Sequence, residues 1–134
     1  MKLVALAAAS LLALGLGSCD KIEESVPEIN PQLAPNWPEE QGFEGNEQAV
    51  RGAEIFAQVG CLQCHTYLGD GASNMGAPDL TEIGRASPRS VEGYANYVSD
   101  PSKFGNQVMP RYGELGRENL LYLGAFLQAS KGKR

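Results

Sequence analysis

With 134 residues the chain has room for one compact domain. Its formal net charge of −5 is unevenly spread: residues 20–47 hold eight acids against one base, while the remainder from Gln48 is nearly balanced, with eight acids and nine bases. This pattern excludes the basic face of a nucleic-acid binder, and three cysteines exclude a scaffold stapled by several disulfides.

Met1 and Lys2 open a short positive region, and Leu3 to Gly17 is almost wholly Ala, Leu, Val and Gly. That run is too short to span a bilayer as a helix and has the proportions of a secretory signal core. Leu16-Gly17-Ser18-Cys19 looks like a bacterial lipobox, in which cleavage precedes the cysteine and the thiol carries a diacylglycerol. The plainer alternative is an ordinary signal peptide that happens to precede a cysteine. On the lipobox reading residues 1–18 are a removed signal peptide and Cys19 is the lipid-attachment site. The mature lipoprotein is then held on the periplasmic side of the bacterial cytoplasmic (inner) membrane by more than one acyl chain, as stable anchoring requires. Export also sets an oxidising compartment.

Residues 19–45 read as an acidic, Pro-rich tether containing Pro27, Pro31, Pro35 and Pro38 and few apolar residues. Such composition cannot bury enough surface to offset the entropy of ordering. Trp37 and Phe43 stand out from it as residues that dock on the domain or on a partner. The folded domain is expected over 46–134. Asn46 is its first N-cap, and Val50, Ala53, Phe56 and Ala57 recur at helical spacing until Gly60. Residues 66–86, rich in Gly, Ala, Ser and Asn, read as loop with one apolar turn at Leu80 and Ile83. Ser87-Pro88 reads as a cap with Pro at the first helical position, opening a helix with Val91, Tyr94 and Val98 on one face and ending at Asp100-Pro101. Another loop covers 102–114. The last helix begins near Gly116, with Leu120, Leu123, Phe126 and Leu127 as its buried stripe. No β pattern is visible. Three helices and two long loops make a thin core, and loops of that length need something to wrap around.

Cys61-Leu62-Gln63-Cys64-His65 supplies it. The pattern C-x-x-C-H is a c-type haem attachment site, in which two thiols add to the two vinyl groups of one haem and the adjoining His meets the iron. A thioredoxin-like pair needs a βαβ setting that this sequence lacks, and a structural zinc site needs four Cys or His ligands where only three remain beyond Cys19. His65 is the one histidine of the chain, so the opposite axial position falls to a methionine. Met75 follows His65 closely, in a loop expected on the His side of the ring. Met109, in Val108-Met109-Pro110, comes after a further helix that carries the chain across, and is favoured.

The chain resembles the class I cytochromes c over most of residues 46–130. Gly52 and Phe56 fit the G-x-x-x-F/Y pattern of that family's first helix, and Leu123-Gly124-Ala125-Phe126-Leu127 is similar to the L-x-A-Y-L pattern of its last. Ala77-Pro78-Asp79-Leu80 resembles its G-P-x-L loop, with Ala in place of Gly. The resemblance implies an all-α fold, the small cytochrome c fold, with three main helices and long loops around one covalently bound haem c. It implies close crossing of the first and last helices, and a Pro78 carbonyl that accepts a hydrogen bond from the free ring nitrogen of His65. Candidate haem-propionate contacts are Arg85, Arg89, Tyr94, Tyr97 and Tyr112.

A His/Met-ligated haem leaves no open iron position, so the expected function is one-electron transport rather than catalysis. The implied partners are membrane redox complexes of a respiratory or photosynthetic chain: a quinol-oxidising complex, and a terminal oxidase or reaction centre. The layout is similar to the monohaem lipoprotein subunits of alternative complex III, and both a swinging shuttle and a fixed subunit fit it. The alternative function is a haem-based sensor or peroxidase-like protein whose sixth ligand leaves the iron.

Overall fold

The computed structural model describes residues 36–132. The signal segment, Cys19 and the tether as far as residue 35 lie outside the described residues. Among the described residues five helices succeed one another: α1 (Trp37–Gln41), α2 (Glu47–Gln58), α3 (Ile83–Ala86), α4 (Val91–Ser99) and α5 (Gly116–Ala129). Three-residue or four-residue 3-10 turns cover Cys61–Gln63, Pro101–Phe104 and Gly113–Leu115. Among the described residues no helix is long and apolar enough to cross a membrane.

Helix α2 starts where its sequence demands. The Asn46 side chain accepts the Ala49 amide at 3.1 Å, satisfying one orphan donor of the first turn. Its apolar stripe, Ala49, Ala53 and Phe56, faces α5, and these two helices make the most extensive contact among the described residues. The crossing is possible because position 52 is glycine. A Cβ there would stand 2.0 Å from the Tyr122 carbonyl oxygen and 2.6 Å from Phe126 Cβ. On its other side α5 receives α4, where Gly124 lies under the Val91 carbonyl and a Cβ would approach to 2.2 Å.

The aromatic centre of the core joins four segments. Phe126 of α5 lies 5.1 Å (ring centroids) from Phe56 of α2 and 4.9 Å from Tyr67. Trp37 of α1 completes the cluster at 4.8 Å from Tyr67, is 1% exposed, and donates its indole N–H to Asp70 at 2.9 Å. Gln41 is also buried; its Nε2 donates to the Thr81 carbonyl at 2.8 Å and its Oε1 accepts the Gly132 amide at 2.9 Å.

Three expectations are corrected here. The folded body begins ahead of Asn46, because residues 36–45 contribute Trp37 and Phe43 to the core. Tryptophan buries a large apolar area and satisfies its one polar group locally, which an acidic, proline-rich average over the segment conceals. A minimal antiparallel pair, β1 (Thr66–Tyr67) with β2 (Asp70–Gly71), interrupts the first loop. Its two connecting residues, Leu68 and Gly69, have φ of 49° and 88°, the double positive φ of a primed hairpin turn. Finally, α4 is capped by Ser90, whose Oγ accepts the Gly93 amide at 2.9 Å, and not by Ser87. Ser87 instead closes α3, and its carbonyl, like that of Ile83, accepts the Tyr94 hydroxyl.

Candidate functional site

After α2 the chain turns sharply through Cys61–Gln63. The Cys61 carbonyl accepts the amides of both Cys64, at 3.2 Å, and His65, at 2.9 Å. One turn thereby gathers the two thiols and the imidazole of the C-x-x-C-H motif, and both cysteines are unpaired. Burial pushes the Cys61 thiol up to about 12, so it stays protonated and uncharged at neutral pH. A neutral sulfur against an apolar wall is compatible with a thioether, which carries no charge either.

The segment from 66 to 81 folds back over this turn. Asn74 bonds it twice, through its amide to the Cys64 carbonyl at 3.1 Å and through Nδ2 to the Gln63 carbonyl at 2.6 Å. The Leu80 amide returns to the Thr66 carbonyl at 2.9 Å. Between these ties His65 Nδ1 lies 2.7 Å from the Pro78 carbonyl oxygen. A carbonyl can only accept, so Nδ1 carries the hydrogen, which in the neutral imidazole places the lone pair on Nε2. Asp79 braces the same loop: its carboxylate accepts the Thr66 hydroxyl at 2.6 Å and the Thr81 amide at 2.8 Å. Partial burial alone would raise the Asp79 carboxyl, but the hydrogen bonds from Thr66 and Thr81 outweigh it and hold the group below the usual carboxylate range.

The second loop, between α4 and α5, carries Met109. Its neck closes where the Tyr112 amide donates to the Val98 carbonyl at 3.2 Å and Arg111 Nε meets Asp100 at 3.2 Å. Inside it, Asn106 Oδ1 accepts the amides of Val108 at 3.0 Å and Met109 at 3.1 Å, while Asn106 Nδ2 donates to the Tyr97 hydroxyl at 2.9 Å. Met109 is partly buried against the core, whereas Met75 is 78% exposed at a left-handed loop position, φ 53°. The end of the loop meets the attachment turn: burial first, then the neighbouring Cys61 and Cys64, push the Tyr112 phenol up.

The propionate candidates separate. Tyr94 spends its hydroxyl hydrogen on the Ile83 and Ser87 carbonyls. Arg85 pairs with Glu82 at 2.6 Å and lines a cleft of about 510 Å³ with Gln41, Phe43, Gln128 and Lys131, none of which belongs to the attachment turn or the Met109 loop. Tyr97 accepts from Asn106 and keeps its own hydroxyl hydrogen, with the Arg89 guanidinium 5.1 Å from its ring centroid. Asp79 and Asn106 escaped the sequence reading. The signals were present, as short polar residues beside a proline loop and at the base of the Met109 loop, where such side chains bond nearby backbone.

A c-type haem suits this donor set. The residues provide two unpaired thiols in one turn and an imidazole whose Nδ1 is engaged by a carbonyl, leaving Nε2 without a partner among the described residues. Among the described residues no group of three or more His, Cys, Asp or Glu gathers that would hold a metal ion by itself. Neither a curated protein nor a solved structure matches the chain. The cytochrome c family model matches residues 49–131, well over half of the chain and both loops just described. The protein therefore belongs to the cytochrome c family of haem-based electron carriers, whose haem c is covalently bound.

Proposed function

We propose that the protein is a membrane-tethered carrier of single electrons holding one haem, bonded at Cys61 and Cys64 and ligated by His65 and Met109. The observation that carries this reading is the 2.7 Å contact between His65 Nδ1 and the Pro78 carbonyl, in the same turn as two unpaired cysteines. When bound, the haem supplies an iron that alternates between ferric and ferrous states. Everything else falls to the chain. Cys61 and Cys64 hold the ring, the Pro78 carbonyl engages Nδ1 and so turns Nε2 to the iron side, and the Asp79 bonds keep Pro78 in place. A Met109 thioether favours the ferrous state over a nitrogen donor, so the potential is positive. With both axial positions filled from this chain, no site is left for a substrate, and the protein acts as a carrier rather than an enzyme.

The docking surface is small and partly apolar. Residues 72–76 and 107–112 carry Met75 and Val108, exposed by 78% and 58%, and Phe104 beside them is half exposed. The near balance of charge from Gln48 onward gives little electrostatic steering, so association depends only modestly on salt. Lipid at Cys19 and the acidic tether confine the search for partners to the membrane surface. Those partners are a quinol-oxidising complex on one side and a terminal oxidase or reaction centre on the other.

The test is purification of the native protein from membranes in mild detergent, followed by a visible spectrum of its ferric form. A low-spin spectrum with the weak far-red band of Met-ligated haem supports the reading. A high-spin spectrum that shifts when ligand is added contradicts it and points to a sensor or peroxidase. Co-migration with a multi-haem assembly identifies a fixed subunit, and release as a monomer identifies a shuttle.

A further inference from the structure

The backbone around Met109 is sparsely tied to the rest of the molecule. Pro110 has no amide hydrogen, and Val108 projects into solvent. Between the Asn106 amide, bonded to the Pro101 carbonyl at 3.1 Å, and the Tyr112 amide, bonded to the Val98 carbonyl, no described residue makes a backbone–backbone hydrogen bond. The amides of Val108 and Met109 go to a single atom, Asn106 Oδ1. The other end of that amide is also engaged, since Nδ2 donates to the Tyr97 hydroxyl. Tyr97 belongs to α4, and its ring packs in a three-way cluster with the Phe104 ring, 5.3 Å away, and the Arg89 guanidinium, 5.1 Å from Tyr97 and 5.9 Å from Phe104. A rigid helix thus reaches the peptide of Met109 through one planar side chain.

We propose that Asn106 is the positioning residue of the axial methionine, holding Met109 in place through the two amides it accepts and anchoring them to α4 through Tyr97. The inference rests on Met109 being the iron ligand. Each end of the Asn106 amide does separate work. Oδ1 sets the turn that presents the Met109 side chain, and Nδ2 sets where that turn sits relative to the helix. The isosteric change Asn106→Asp keeps the first and reverses the second, since the Tyr97 hydroxyl can donate to the new carboxylate, whereas Tyr97→Phe loses the second alone. Alanine loses both.

The experiment measures haem-loaded protein, wild type and variants, by the far-red band of the ferric form and by the affinity of added imidazole, which binds the iron only when methionine leaves. Losing three neutral hydrogen bonds, each at the weak end of the usual net contribution, should favour the open loop roughly ten-fold. Asn106→Ala is therefore expected to bind imidazole roughly ten-fold more tightly and to lose its far-red band at lower temperature. Asn106→Asp should restore most of the wild-type affinity, and Tyr97→Phe should fall between wild type and Asn106→Ala. Far-UV circular dichroism unchanged in all three separates loop opening from global unfolding. The proposal is overturned if Asn106→Ala keeps the wild-type band and imidazole affinity, or if Asn106→Asp behaves like alanine. Failure of the underlying ligand assignment looks different: the wild type then shows no far-red band, or Met109→Ala retains it.

Discussion

Proton placement on His65 is decided by one oxygen. The Pro78 carbonyl takes the Nδ1 hydrogen, and Asp79, next in the chain, fastens that carbonyl's loop to Thr66 and Thr81. Its carboxyl sits below the usual range in the folded protein, since the bonds from its neighbours outweigh the cost of partial burial. A depressed folded-state pKa adds stability above the unfolded value and loses it as pH falls through the folded one. Asp79→Asn is therefore expected to destabilise the protein at neutral pH, with the deficit shrinking toward zero as the solution is acidified below the carboxylate range. Denaturant midpoints of the two proteins at a series of pH values check this; a deficit independent of pH would contradict it. Tyr67 is a contrasting residue, raised to about 12 by burial. Ser130 gives its hydrogen to the Phe126 carbonyl, so the Tyr67 hydroxyl donates to Ser130 at 2.7 Å and stays neutral.

At the scale of elements, the crossing of α2 and α5 depends on a missing methyl group. Gly52→Ala would drive a Cβ into the Tyr122 carbonyl, a backbone atom that cannot rotate away. The expected loss is about 3 kcal/mol, read from denaturant unfolding followed by haem absorbance. The short helix α1 is the other exposed dependency. Trp37→Ala removes a side chain that touches Phe56, Tyr67 and Phe126 together, and is expected to cost about 3–5 kcal/mol, measured as a lowered thermal midpoint. The three long helices were legible because their apolar residues recur at helical spacing over nine or more residues. Helix α1 was hidden by dilution, one tryptophan among acids and prolines. The β1–β2 pair was hidden because its turn is Leu68-Gly69 rather than Asn-Gly, and two-residue strands show no alternation. The start of α4 was misplaced because Ser87 and Ser90 are equally good caps in sequence; the Tyr94 hydroxyl, which takes the Ser87 carbonyl, decides between them. Cys61, Cys64 and His65 needed no fold to be seen, whereas the Asn106 and Asp79 bonds depend on loop geometry that hydrophobic spacing does not encode.

For the whole molecule, two long loops are arranged about one turn, each tied down by a polar residue and each bearing an exposed apolar side chain. If those side chains form the docking rim, Met75→Glu should slow electron exchange with a redox partner by about ten-fold, make the rate more salt-dependent, and leave the visible spectrum unchanged. An unchanged rate would move the docking surface elsewhere. The two loops meet at the Cys61 turn rather than at the aromatic centre of the core, and a large apolar ring bonded there would give them a centre of their own. The most direct test of that claim is a mass measurement with peptide mapping of protein made in cells that have working haem-ligation machinery. The account predicts that the peptide containing positions 61 to 64 carries one haem through two thioether bonds. Recovery of that peptide with both cysteines unmodified, from protein that has reached its folded state, would contradict it.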